Sequence, residues 1–81
     1  MLKFEKVLEN EHTLIYKYIC EGKTGEEYEG NVHFSLDDGE VSIVDKAKYD
    51  EFGLYWGHLA SRLRKMHEEG KFEELGIIAW Y

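Results

Sequence analysis

"FGLYWGHLASRLRKM", Phe52 to Met66, decides how this chain folds. Phe52, Trp56, Leu59, Leu63 and Met66 recur at alternating spacings of four and three, which is one stripe of an α-helix. Asp50 suits the N-cap ahead of the stripe, and Glu51 suits the positive helix start. Gly70 suits the left-handed position just past the end. The pattern predicts about five turns of helix beginning near Asp50. The stripe points inward as a core ridge, with Tyr55 at its margin. Burying side chains of this size is worth roughly 1.5–3 kcal/mol each, most of it offset by the cost of ordering the backbone.

The helix has two further sectors. Gly53, Gly57 and Ala60 form the first, and each helical glycine costs about 1 kcal/mol relative to alanine. A neighbouring backbone in close approach is the expected compensation, either the protein's own sheet or the same helix of a second subunit; a ligand against bare backbone is the remaining option. His58, Arg62 and Lys65 form the other sector at i, i+4 and i+7, the one basic strip in an acidic chain. Arginine grips carboxylate and phosphate well, so this strip is the candidate anion-binding face. Its competing reading is a solvated surface on which Lys65 pairs with Glu69.

Upstream of the helix the hydrophobic period is two. In "NVHFSLDDGEVSIV", Asn31 to Val44, Val32, Phe34 and Leu36 alternate with His33 and Ser35, and Asp38-Gly39 supplies a tight turn. A two-residue loop there sets Leu36 opposite Val41 and Phe34 opposite Ile43. "LKFEKVL" and "TLIYKYIC" read as an earlier hairpin across "ENEH". A loop at Asn10 to His12 sets Leu8 beside Leu14, Phe4 beside Tyr18 and Glu5 opposite Lys17. After the helix, "GIIAWY" reads as a short final strand, Gly76 to Tyr81. The expected fold is α+β. An antiparallel sheet of about four strands in two hairpins carries one long helix from the C-terminal half on one face, with the final strand added.

A chain of 81 residues makes a single domain, residues 1–81. Its net charge of −7, from 17 acids and 10 bases, disfavours binding to nucleic acid or to an anionic membrane. It leaves open an acidic decoy seated in the basic groove of a nuclease or toxin. No run approaches the ~18 apolar residues of a membrane span and no signal-peptide core is present, so a cytoplasmic location is expected. The one cysteine, Cys20, reads as a small buried hydrophobe.

No spacing specifies a reaction. His12, His33, His58 and His67 are scattered, and no metal, cofactor or nucleophile motif is present. "GKTG", Gly22 to Gly25, lacks the spacing of a phosphate loop and reads as a connector turn. One helix covers one sheet face, which leaves Ile15, Ile19 and Val7 on the other. The expected role is therefore a non-catalytic domain that binds a protein partner or itself, as a homodimer. The candidate surface comprises Gly53, Gly57, Ile15, Ile19, Ile78 and Trp80.

Overall fold

Alternating apolar residues in the first half of the chain build strands, and the change to a helical period near Asp50 builds the layer that covers them. The structure is a computed structural model that describes residues 1–80. Strands β1 (Leu2–Glu9), β2 (Thr13–Cys20), β3 (Glu29–Ser35) and β4 (Val41–Asp45) are followed by helix α1 (Leu54–Glu69) and strand β5 (Leu75–Ile78). The class is α+β as expected, but the sheet has five strands in the order β4-β3-β2-β1-β5. The final strand joins the outer side of β1, antiparallel to it, with Leu2 opposite Ile78 and Glu5 opposite Leu75. Of the expected final strand, Tyr81 lies outside the described residues.

The first hairpin keeps Phe4 opposite Tyr18 and Glu5 opposite Lys17, as its pattern predicts. Beyond Lys6 the register slips by one residue at Val7, so Leu8 faces Ile15 instead of Leu14. The loop is clamped by Asn10, whose side-chain oxygen accepts the amides of His12 and Thr13 at 2.9 Å each. The bulge carries Leu8 to the face away from the helix.

The β3–β4 hairpin corrects the expected register by two residues: Phe34 faces Val41, and Val32 faces Ile43. The Leu36 amide donates to the His12 carbonyl at 2.8 Å, which pulls Leu36 out of the ladder and ties this turn to the first one. The loop closes through Ser35 N–H to the Glu40 carbonyl at 2.9 Å, with Gly39 left-handed at φ 74°. A shift of two keeps Val32, Phe34, Val41 and Ile43 on their expected face, and a bulge at Val44 then turns Asp45 to the side of Asn31.

The helix starts at Leu54, four residues later than the spacing predicts. Gly53 adopts φ 73° and breaks the helical path at its foot. Asp50 is not the N-cap residue, yet its buried carboxylate reaches across the turn and accepts the amides of Tyr55 and Trp56 at 3.0 Å each. Phe52 lies in that turn and is 91% exposed, which removes it from the inward ridge. Leu59, Leu63 and Met66 are buried as expected, and Trp56 packs half-buried against them. Their partners are the inward faces of Leu2, Phe4, Leu14, Tyr16, Tyr18, Val32 and Phe34. Gly70 at φ 74° ends the helix in the expected way.

Candidate interaction surface

Strand alternation that sends Phe4, Tyr16, Tyr18 and Val32 to the helix sends their neighbours to the opposite face, which no element among the described residues covers. This open face divides in two. Over β3 and β4 it carries Glu29, Asn31, His33, Ser35, Ser42 and Asp45, with Asn31 opposite Asp45 and His33 opposite Ser42. Over β2, β1 and β5 it carries Ile15 and Ile19, Leu8 at 43% exposure, Leu75 at 70% and Ile77 at 55%. Between Leu75 and Ile77 is Gly76, opposite Phe4; a Cβ there would meet the Phe4 ring at 2.6 Å on the helix side, so glycine lets β5 lie close over that ring. On the open face is an apolar hollow of about 480 Å³, lined by Lys3, Glu5, Ile19, Leu75 and Ile77.

Charged residues on this face are of two kinds. Lys17 is held by Glu29 at 2.8 Å, which raises its pKa. Lys3 and Glu5 stand two residues apart on β1 at the hollow, and neither makes an ion pair among the described residues. On the helix side, level with Tyr16, Lys6 is anchored by Glu9 at 2.8 Å and Glu74 at 2.9 Å, and those hydrogen bonds raise its pKa. Along the outer side of β5 the backbone has no strand partner among the described residues.

The remaining polar groups hold the fold. The Tyr18 hydroxyl donates to Asp50 at 3.0 Å and accepts the Ala47 amide at 3.0 Å, and burial raises its pKa. Tyr16 donates to the Glu73 carbonyl at 2.6 Å, and burial pushes its phenol up to about 12. Burial likewise pushes the Cys20 thiol up to about 11; it is buried, as its sequence context predicts. The Tyr55 hydroxyl donates to Glu21 at 2.5 Å, and this bond, then the N-terminal ammonium at 3.0 Å, holds Glu21 below the usual carboxylate range.

The sequence-predicted residues fall in several places. Ile15 and Ile19 lie on the open face. Ile78 is opposite Leu2 and packs against the core from the helix side. Trp80 stacks flat on His58 at 3.9 Å and edge-on to Tyr55 at 5.2 Å. With Tyr49 and Tyr28 these rings make a continuous row at one end of the molecule, which accounts for many of the aromatics that the core does not use. Gly53 makes the turn before the helix. Gly57 has nothing within 4 Å of an added Cβ, so the sheet does not approach it.

The basic strip is also divided. His58 is engaged by Trp80, and the Arg62 guanidinium lies 5.9 Å from the Phe4 ring centroid, with Nε 3.7 Å from Glu73. Lys65 is exposed. Among the described residues, no three His, Cys, Asp or Glu side chains come together as metal ligands, and no helix is long and apolar enough to cross a membrane. Lys3, Glu5, Leu8, Leu75 and Ile77 are the surface residues that sequence reasoning missed. The signal for Leu75 and Ile77 is their alternation about Gly76, which gains meaning only once β5 is placed beside β1.

No family model, curated protein or solved structure matches the chain.

Proposed function

We propose that this protein is a non-catalytic association module whose working surface is the open face of the sheet. One observation carries the reading: Leu8, Ile15, Ile19, Leu75 and Ile77 share a face that no element among the described residues covers, and Ile19, Leu75 and Ile77 line a hollow of about 480 Å³ on it. A protein of this size keeps most of its large apolar side chains on the helix side, and a contiguous exposed group beside an unpaired strand edge marks a contact surface. The partner it suits is a protein surface with an apolar centre, one acid and one base. Lys3 presents the complement to that acid, and Glu5, opposite Lys17 across the strands, the complement to that base.

A photo-crosslinking side chain placed at Ile77, and in a control at exposed Ser61 on the helix, tests this in the native host. Protein adducts from position 77 and none from 61 support the reading. No adduct at 77, or equal adducts at both positions, overturns it.

A further inference from the structure

Resting on that reading, we infer that the protein partner docks by strand addition: an extended segment of it, reading apolar-basic-apolar, pairs with the outer side of β5. Hydrogen-bond alternation fixes which groups are on offer. Lys6 N–H donates to the Glu74 carbonyl at 2.7 Å, and the same register continues through Phe4 opposite Gly76 and Leu2 opposite Ile78. In an antiparallel ladder every second pair exchanges its hydrogen bonds, so Gly76 and Ile78 turn their N–H and C=O groups toward β1. Leu75 and Ile77 turn theirs outward, two donors and two acceptors in a row. An extended backbone is the partner that meets all four at their own spacing.

The two edges of the sheet are not alike. At β4 the ladder is broken by a bulge at Val44, and the strand ends on Asp45. Bulges and edge charges are the means by which sheets turn away another strand. β5 has neither. It reads Leu75-Gly76-Ile77-Ile78, its register with β1 is unbroken, and the side chains of Leu75 and Ile77 are largely in solvent.

The register also specifies the side chains of the segment. Its residues level with Leu75 and Ile77 fall on the open face, where apolar groups pack beside those two. The residue between them is level with Gly76 and falls on the helix side. There Glu73 Oε2 stands 3.3 Å from the place of a Gly76 Cβ, on a side chain 43% exposed. Its other oxygen is 3.7 Å from Arg62 Nε, beyond hydrogen-bond length. A directly opposed residue has its Cβ about 4.5–5.5 Å away, so a lysine or arginine there reaches the Glu73 carboxylate. The net charge of −7 draws a basic segment in the same sense.

The probe is a short synthetic peptide with Val-Lys-Val at its centre, and the readout is amide hydrogen exchange by NMR on the full chain. Without peptide, the Gly76 and Ile78 amides should be protected and those of Leu75 and Ile77 should exchange freely. Saturating peptide should slow exchange at Leu75 and Ile77 by about tenfold or more. Val-Glu-Val in the same frame should bind about fivefold more weakly. Glu73→Lys should reverse that preference, and it keeps the backbone carbonyl that Tyr16 uses. Methylating the peptide nitrogens that face β5 should abolish binding. Exchange at Leu75 and Ile77 that peptide does not change, binding that survives methylation, or a preference unmoved by Glu73→Lys each overturns the inference. So does a dimeric free protein with both amides already protected, since a second copy then holds the edge. Adducts from position 77 with a protein that leaves both amides exchanging freely overturn strand addition and leave the association module standing.

Discussion

Replacing Asp50 by alanine is the sharpest probe of how the helix is held to the sheet. Its carboxylate is 1% exposed and receives three hydrogen bonds at 3.0 Å, from the Tyr18 hydroxyl and the Tyr55 and Trp56 amides. Loss of a helix-capping side chain costs about 0.5–2 kcal/mol. A buried hydroxyl proton left without an acceptor adds about 1–3 kcal/mol. Asp50→Ala should therefore cost about 2–5 kcal/mol, against a total stability of about 4–12 kcal/mol for a chain this long. At about 4–8 °C per kcal/mol, the midpoint should fall by about 8–40 °C. Tyr18→Phe should cost about 1–3 kcal/mol, because the Ala47 amide loses its acceptor. The double variant should cost less than the two single losses together by about 1 kcal/mol, since both remove the same bond. Urea unfolding followed by tryptophan fluorescence measures all three. An Asp50→Ala protein within about 0.5 kcal/mol of wild type, the range of ordinary surface changes, would refute the capping role.

Three further outcomes follow from individual sites. Gly57→Ala should stabilise the protein by about 1 kcal/mol, because the position is helical and open; a loss of stability in a thermal melt would mean that a neighbour does approach it. Gly30→Ala should destabilise by about 2 kcal/mol or more, or prevent folding, since its Cβ would meet the Asp45 carbonyl at 2.6 Å and the Tyr18 ring; unchanged urea stability contradicts this. Alkaline pH should unfold the protein early. Cys20, Tyr16 and Tyr18 hold their protons in the folded state at pH values where the unfolded chain has lost them, so stability falls as pH rises from about 9, by about 1.4 kcal/mol per pH unit for each group in its window. Circular dichroism across pH 9 to 12 reads this, and Cys20→Ala should move the onset up to the tyrosine range near 10.0; an onset that stays put removes the thiol from the explanation.

Periodicity made much of the architecture legible. Alternation placed Phe4, Tyr16, Tyr18, Val32 and Phe34 on one face, and helical spacing placed Leu59, Leu63 and Met66 against them. Faces survive small errors of register, which is why the two-residue shift at the β3–β4 turn kept Val32, Phe34, Val41 and Ile43 on their expected side. Features that depend on contacts between distant segments were not legible. The pull of His12 on Leu36 is one, and the bulge at Val7 is another. The late helix start is a third: a left-handed Gly53 and a capping carboxylate that acts across a turn leave Phe52 in solvent, although its spacing fits the ridge. For the candidate surface, Ile15 and Ile19 were readable from strand alternation. Leu75 and Ile77 were not, because a sequence does not say which sheet edge a last strand joins. Gly57 shows the limit of composition: a costly residue suggested a close neighbour, and within the chain there is none.

The most direct measurement of the open face is methyl NMR of the labelled protein with and without the protein that position 77 captures. Shifted or broadened signals from Leu8, Ile15, Ile19, Leu75 and Ile77 are the expected result. Changes confined to Leu54 and other residues on the outer side of the helix would contradict it.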